Sequence, residues 1–360
     1  MLRGSLLVLA LVALTALVAC GSGETAKSAA PAPPPAVTRA DLGELVISGI
    51  KGTRASSALK RRIRRGDVAG VIVMGDNVKS VGQMRSLTRS LRAAARAGGQ
   101  LPPLVMVDQE GGTVKRFASA APKRSARSMS SLDLLAIEKI GEATSRDLRD
   151  RGVNIDLAPV ADVVTQRGNF LGTRAFRGSA AQVADRSCAF ANGLTATGVG
   201  ATLKHFPGLG AAGAVNTDDG SVRINATRAQ IARGWTAYRQ CGNDPLTSVM
   251  VSSASYPRAF GSRQAVVNPR VYDELRGSVG FKGVVMTDAL NAVAVKNIRR
   301  VDTRAVAAGA DLLLHLDERS AARATKNLRA AFAAGTLKQS DVADSVERVR
   351  TLRKTFAAEQ

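Results

Sequence analysis

Eight short apolar runs, separated by longer segments of helical periodicity, constrain the fold of this chain more than any other feature. The runs are rich in β-branched and aliphatic residues with little polar alternation, which is typical of parallel strands buried on both faces. They span residues 44–48, 70–74, 104–107, 153–157, 200–204, 248–251, 283–287 and 311–314. Helical patterns lie between them, for example at 81–97, 131–149, 180–197 and 320–334. This alternation predicts an α/β fold, a (β/α)₈ TIM-like barrel.

Polar side chains cluster at or just beyond the carboxyl ends of these runs. In a (β/α)₈ barrel this end of the strands carries the active site, and a buried sheet has little use for so many ionisable groups. We therefore predict a functional site at that face. The residues concerned are Asp108, Gln109, Glu110, Asp156, Lys204, His205, Ser252, Ser253, Asp288 and His315.

The first 38 residues differ from the rest. Arg3 precedes an apolar run at 6–18, which is too short to span a bilayer and indicates a signal peptide. The Leu-Val-Ala-Cys sequence at 17–20 resembles a bacterial lipobox, which implies cleavage before Cys20 and lipid attachment to it. The alternative is an ordinary signal peptide that ends near a cysteine. We predict a signal peptide at 1–19, lipidated Cys20 with a Pro/Ala-rich tether at 20–38, and a barrel domain at 39–360 in a protein anchored to the cell membrane outside the cytoplasm.

The chain is strongly basic, with 51 Lys and Arg against 29 Asp and Glu and a formal net charge of +22. Nucleic acid is not the predicted partner, because the basic residues are scattered and only 4% of residues are aromatic. Two interpretations stay open: attraction to anionic envelope polymers or phospholipid headgroups, and an ordinary solvated surface.

Cysteine and histidine are scarce, with three and two copies respectively. The sequence shows no cluster with metal-ligand spacing, so we predict neither a metal nor a cofactor. Once Cys20 is assigned to the lipid, Cys188 and Cys241 form an even pair in an oxidising compartment. Their spacing does not decide whether they form a disulfide.

Five motifs occur in a characteristic order along the chain. Residues 40–353, which contain them, resemble the single-domain β-N-acetylhexosaminidases of glycoside hydrolase family 3. The resemblance implies hydrolysis of terminal β-linked N-acetylglucosamine, from peptidoglycan fragments in particular, without a cofactor. The motifs are VDQEGG at 107–112 followed by RF at 116–117, NIDLAPVADV at 154–163, RAF at 174–176, KHFPG at 204–208 and GVVMTD at 283–288.

The resemblance also implies roles for individual residues. Asp288 matches the nucleophile, which forms and releases a glycosyl ester in a retaining mechanism. Carboxylates accept hydroxyl hydrogen bonds and arginine offers a planar fork of donors, so both types suit a carbohydrate. Glu110 is a candidate for orienting these groups. The substrate-binding residues implied are Asp108, Arg116, Arg174, Lys204 and His205.

The loop at 209–220 departs from the family pattern. Related hexosaminidases end this loop in Asp-Ser-His, whose histidine is the acid/base, whereas this chain has Asn-Thr-Asp at 216–218 in roughly that place. The family's histidine after the sixth strand is also replaced, by the serines at 252–253. His315 at the eighth strand either approaches the site or packs at its rim.

Three hypotheses follow. In the first, the protein is an enzyme with Asp218 or Asp219 as the acid/base, since adjacent carboxylates repel and raise one apparent pKa. In the second, it is a catalytically degenerate protein that still binds sugars. In the third, it is an envelope scaffold in which these residues form a solvated turn. We favour the first, because a pure binder has no need of the nucleophile Asp288.

Overall fold

Parallel strands form a closed barrel in the computed structural model, which describes residue 1 and residues 36–358. The predicted signal peptide, Cys20 and most of the tether lie outside the described residues. Eight barrel strands occur in the described part: β1 (Val46–Gly49), β2 (Gly70–Val73), β3 (Leu104–Val107), β4 (Ile155–Asp156), β5 (Ala201–Phe206), β6 (Thr247–Val251), β7 (Val285–Thr287) and β8 (Leu313–Leu314).

Two hydrogen-bonded groups of strands make up the barrel wall. One has the order β8-β1-β2-β3-β4 and the other the order β7-β6-β5. Single parallel bridges, Ile155 to Gly200 and Met286 to Leu312, close the two remaining gaps. The predicted (β/α)₈ architecture is therefore confirmed, with strand boundaries that differ from the predicted ones by a few residues.

Helices connect the strands on the outside of the barrel. Several begin at a side chain that accepts a hydrogen bond from a helical backbone N–H, as Ser56, Ser80, Asp133 and Ser179 do. Their bounds are α1 (Ser57–Arg64), α2 (Val81–Arg96), α3 (Leu134–Asp150), α4 (Ala180–Thr195), α5 (Arg228–Ala232), α6 (Thr236–Cys241), α7 (Pro269–Arg276), α8 (Val301–Ala308), α9 (Glu318–Ala333) and α10 (Gln339–Ala358).

Shorter elements complete the described part of the chain. Two small hairpins pair Gln109–Gly111 with Val114–Lys115 and Ser255–Tyr256 with Gly261–Gln264. Among the described residues, no helix combines the length and the apolar character that crossing a membrane requires. The short helices are Ala126–Met129 and Pro257–Phe260, and the 3₁₀ turns are Asp41–Leu45, Gly75–Asn77, Arg233–Trp235 and Ala265–Val267.

Alternation along the strands decides which side chains enter the barrel. Along β3, Leu104 and Met106 belong to the cluster inside the barrel, while Val105 and Val107 pack in the outer cluster. Successive strand residues point to opposite faces, so a residue two positions after an inward residue also points inward. The inner cluster includes Ile47, Ile72, Leu104, Met106, Ile155, Leu157, Met250, Met286 and Leu314.

A disulfide joins two helices on the outside of the barrel. It links Cys188 of α4 to Cys241 of α6, with their Cα atoms 5.4 Å apart. This separation lies within the range that a disulfide requires. The structure thus decides a pairing that the spacing in sequence left open.

Candidate active site

A cavity of about 240 Å³ opens where the carboxyl ends of the barrel strands meet. Apolar side chains such as Leu157, Met250 and Leu314 form part of its lining and continue into the barrel interior. The structure brings all seven predicted catalytic and substrate-binding residues to this one cavity: Asp108, Arg116, Arg174, Lys204, His205, Asp218 and Asp288.

A network of ion pairs forms one wall. The buried Lys204 Nζ lies 2.9 Å from Asp108 Oδ1 and 2.6 Å from Glu110 Oε1. Arg116 Nη2 binds Asp108 Oδ2 at 3.1 Å, and Arg174 binds both oxygens of Glu110 at 2.8 and 2.9 Å. Asp108 therefore faces the cavity between two cations, while Glu110 lies behind it and orients Lys204 and Arg174, as the sequence suggested.

The network keeps its carboxylates ionised. Burial alone would raise the pKa of Asp108 and of Glu110, but Lys204 and the neighbouring arginines outweigh it and hold both below their usual range. Burial would likewise lower the pKa of Lys204, and the two carboxylates reverse that effect. An ionised Asp108 is an acceptor only, so it can receive hydrogen bonds from sugar hydroxyls.

Two glycines shape the hairpin that precedes Arg116. Gly111 and Gly112 have φ angles of 89° and 59°, in the left-handed region that favours glycine. A Cβ at Gly111 would lie 2.2 Å from the carbonyl oxygen of Arg124. Gln109 then holds the returning strand, because its Oε1 accepts from the backbone N–H of Arg116 at 3.0 Å.

His205 is held by a residue to which sequence reasoning gave no role. Its Nδ1 lies 2.8 Å from Asp162 Oδ2, and Asp162 also accepts from the backbone N–H groups of His205 and Leu209. The pairing of β5 with β6 shifts between Lys204 and Phe206, so both Lys204 and His205 line the cavity. Asp162 lies near the end of the NIDLAPVADV motif, and its place in that motif is the signal in the sequence that could have pointed to it.

Asp288 follows β7 in the inward register of Met286. Its Oδ1 accepts from the backbone N–H of Ala289 at 2.7 Å. Burial raises the pKa of Asp288, and the charge of Asp218 raises it further, whereas His205 opposes the shift. The two predicted catalytic carboxylates thus line one cavity, where the charge of Asp218 acts on Asp288.

The loop at 209–220 presents only one of its two aspartates to the cavity. Asp218 lines it together with Asn216 and Thr217, while Asp219 is not among the described residues that do so. The carbonyls of Asp218 and Thr217 accept from the backbone N–H groups of Val293 and Ala294, each at 3.2 Å. The structure therefore favours Asp218 over Asp219 as the candidate acid/base.

The other strand-end residues lie away from the cavity. His315 follows the inward Leu314, so it points outward, and its Nε2 lies 3.0 Å from Asp302 Oδ1. The buried Ser252 bonds to the hydroxyl of Tyr256 at 2.9 Å. His315 thus packs against Asp302 and does not approach the cavity, which was one of the two alternatives for this residue. In the described part of the chain, no group of three or more His, Cys, Asp or Glu residues could hold a metal ion.

Asp156 is a buried carboxyl beneath the ion-pair network, and it should make stability depend on pH. Its Oδ1 accepts from the Gln109 backbone N–H at 2.9 Å, but Oδ2 has no partner among the described residues. Burial, with some help from Asp108 and Glu110, raises the pKa of Asp156 to about 8. At intermediate pH the folded protein therefore keeps a proton that the unfolded chain releases.

As the pH rises from 4 to 8, the free energy of unfolding of the wild type should fall relative to that of Asp156→Asn by about 1.4 kcal/mol per pH unit. The raised folded pKa sets the sign: below pH 4 both states hold the proton, and the penalty grows until the folded state ionises near pH 8. Denaturant unfolding of both proteins at pH 4, 5, 6, 7 and 8 measures the difference. A constant difference across this range would contradict the prediction.

Comparisons with known proteins agree with this architecture. Residues 37–352 match the family described as Glycosyl hydrolase family 3 N terminal domain. An uncharacterized secreted glycosyl hydrolase from Arthroderma benhamiae is 31% identical over 330 residues, which cover 88% of this chain and 93% of that protein. A beta-hexosaminidase from Stenotrophomonas maltophilia is 32% identical over 286 residues, covering 75% and 82% respectively.

One solved structure extends the comparison to three dimensions. It is a glycoside hydrolase family 3 beta-N-acetylglucosaminidase from Paenibacillus, which superposes with a TM-score of 0.84 at 27% identity. The superposition covers 90% of this chain and 63% of that one, so this chain spans less than two-thirds of the other chain's length.

Proposed function

Because the chain belongs to glycosyl hydrolase family 3, we propose that it hydrolyses terminal β-linked N-acetylglucosaminides, with peptidoglycan-derived fragments as the substrate class. The observation that carries the proposal is the presence of two carboxylates, Asp288 and Asp218, in one cavity whose other charged lining groups suit sugar hydroxyls. The N-acetyl preference rests on similarity to relatives that are named for it.

The proposed mechanism is a retaining double displacement. Asp288 attacks the anomeric carbon while Asp218 protonates the glycosidic oxygen, so the bond to the leaving group breaks as a glycosyl ester forms. Asp218, now ionised, then removes a proton from water, and the water oxygen attacks the anomeric carbon. The ester bond breaks, the sugar leaves with its configuration retained, and Asp288 is again a carboxylate.

The remaining polar residues of the cavity bind the terminal sugar. Asp108 accepts hydroxyl hydrogen bonds, and Lys204, Arg174 and Arg116 donate them. His205 turns its other ring nitrogen to the substrate, since Nδ1 is engaged by Asp162. The barrel interior closes the cavity from below, which suits the end of a saccharide chain better than its middle.

Replacing Asp218 tests the acid/base assignment. Asp218→Ala should lower kcat/KM for an aryl β-N-acetylglucosaminide with a poor leaving group by roughly 10²-fold, because the leaving oxygen is no longer protonated. Azide should restore turnover of an activated aryl substrate and yield the β-glycosyl azide. Asp219→Ala is the matched control, since it removes the neighbouring carboxylate outside the cavity lining, and it should keep wild-type kinetics.

The same experiment distinguishes the degenerate alternative. That hypothesis draws on the lack of histidine in the loop at 209–220. If the wild type turns over neither the N-acetylglucosaminide nor an aryl β-glucoside, the enzyme proposal fails for these substrates. Binding of N-acetylglucosamine in calorimetry without turnover would then identify a sugar-binding protein.

We also propose that the protein acts outside the cytoplasm, tethered to the membrane through lipidated Cys20. The leader sequence supports this, as does the disulfide between Cys188 and Cys241, because such bonds persist in oxidising compartments. The net positive charge suits attraction to anionic envelope polymers. Cys20→Ser should abolish labelling with radioactive fatty acid and release the protein from the membrane fraction. Unchanged labelling would contradict the anchor.

A further inference from the structure

Asn169 connects two segments of the active site that are 40 residues apart in the chain. Its Nδ2 donates to the carbonyl oxygens of Leu209 at 2.9 Å, Gly210 at 3.2 Å and Ala212 at 2.8 Å. Its Oδ1 accepts from the backbone N–H of Leu171 at 2.9 Å. Only the amide orientation with nitrogen toward the carbonyls fits these contacts, with one of its two N–H groups shared between two carbonyls, so the side chain is a clamp with one defined geometry.

The first half of the loop at 209–220 is held by contacts with residues outside the loop. This half, Leu-Gly-Ala-Ala-Gly-Ala, is rich in glycine and alanine, and its buried side chains are those of Leu209 and Ala212. For the Ala212 carbonyl, the Asn169 amide is the hydrogen-bond donor recorded in the described part of the chain. Backbone bonds hold this half of the loop to the same segment, since Gly210 accepts from Thr165 and Gly213 accepts from Phe170. The Asn169 side chain adds the bond to the Ala212 carbonyl that lies between them.

The second half of the loop is attached on the opposite side of the cavity. The carbonyls of Thr217 and Asp218 accept hydrogen bonds from Ala294 and Val293, in the segment that follows Asp288. Asp218 thus lies at the end of a span that is held by Asn169 on one side and by backbone bonds next to the nucleophile segment on the other. A shift at the clamp changes where the Asp218 carboxylate points.

We propose that Asn169 is a positioning residue that sets the place of Asp218 relative to the substrate's glycosidic oxygen. The inference rests on the proposed function, since it assigns Asn169 a role through Asp218. A general acid must lie within hydrogen-bond reach of the atom it protonates, and a displacement of about 1 Å can cost on the order of 10²-fold in rate. Without the clamp, the Ala212 carbonyl loses its hydrogen-bond donor, and a small shift of the loop at that point misplaces the acid.

Leaving-group dependence tests the role, because proton donation matters only when the leaving group is poor. Asn169→Ala should lower kcat/KM roughly 10- to 100-fold for 4-methylphenyl β-N-acetylglucosaminide. For the 2,4-dinitrophenyl substrate the loss should be less than about threefold, since that group departs without protonation. Asn169→Asp provides a second variant of the same size that keeps the acceptor for Leu171 but replaces the donors.

A double-mutant comparison separates positioning from general damage. In an Asp218→Ala background, adding Asn169→Ala should lower kcat/KM for the 4-methylphenyl substrate by less than about twofold, because the misplaced group is already absent. Asn268→Ala is the matched control: it removes another buried amide, which donates to the Phe260 carbonyl and is 3% exposed, without touching the loop. It should leave the leaving-group dependence unchanged.

The outcomes of the two proposals are separable. If the wild type and Asp218→Ala show the acid/base signature but both Asn169 variants reduce activity equally for the two leaving groups, the positioning role is overturned and the function stands. The role is also overturned if Asn169→Ala lowers kcat/KM in the Asp218→Ala background by the same factor as in the wild type. Absence of wild-type turnover overturns the proposed function itself.

Discussion

Asp288→Asn is expected to reduce kcat for aryl β-N-acetylglucosaminides by roughly 10⁴-fold or more, since loss of a covalent nucleophile removes the first chemical step. Asparagine has the same shape, and its Oδ1 can still accept from the Ala289 backbone N–H. The amide is not nucleophilic enough to form the glycosyl ester. Steady-state kinetics with the wild type and the variant measure the effect.

The fold is expected to survive this change. Burial and the neighbouring Asp218 both raise the pKa of Asp288, so the folded protein bears a cost for keeping that carboxylate ionised. A neutral asparagine removes the cost, and Asp288→Asn should be at least as stable as the wild type in denaturant unfolding at pH 7. Calorimetry should show that it still binds N-acetylglucosamine. Wild-type activity in a correctly folded variant would contradict the assignment of Asp288.

Lys204→Met is expected to have the largest effect on stability, lowering the free energy of unfolding at pH 7 by about 3–5 kcal/mol. The side chain of Lys204 is 2% exposed and lies between Asp108 and Glu110. Methionine fills a similar volume but leaves the two carboxylates without their shared cation. Because the same side chain lines the cavity, turnover should also be lost.

The stability deficit of Lys204→Met should shrink at acidic pH. Lys204 holds the pKa of Asp108 and of Glu110 below their usual values against the effect of burial. Without the lysine, burial raises both pKa values, so the folded variant takes up protons and its penalty falls between pH 7 and pH 4, while the wild type keeps both carboxylates ionised. Denaturant unfolding at pH 7 and pH 4 compares the two regimes. Lys326→Met, at an exposed position, is the control and should change the free energy of unfolding by less than about 0.5 kcal/mol. A deficit that is equal at both pH values would contradict the ion-pair explanation.

Much of the site could be predicted because it follows from the alternation of inward and outward residues along each strand. The apolar runs indicate the strands, and the residues just beyond them lie at one end of a parallel barrel. Asp108 and Asp288 lie two positions after the inward residues Met106 and Met286, so alternation alone directs them into the cavity. The same argument, applied from Leu314, directs His315 outward, but it requires knowing which strand residues point into the barrel.

Other features depend on distances between segments that are remote in sequence. The sequence shows neither that Asn169 reaches the loop at 209–220 nor that Asp162 supports His205. An amide or a carboxylate can also bind groups close to it in the chain, so its residue type does not reveal a remote partner. It also does not separate Asp218 from Asp219, which are adjacent and chemically identical. In the part of the chain that the structure describes, Asp218 lines the cavity and Asp219 does not, and our proposal of Asp218 is based on that difference.

The sequence by itself therefore determined the barrel, its functional end and the residue types at the site, since these follow from periodic burial and from motifs in contiguous segments. The tertiary structure alone decided the Cys188–Cys241 disulfide, the outward packing of His315, and the contact of Asn169 with the loop at 209–220. The physical reason is that hydrogen bonds and disulfides require separations of a few ångströms. Only the closed barrel sets such separations between residues that lie tens of positions apart.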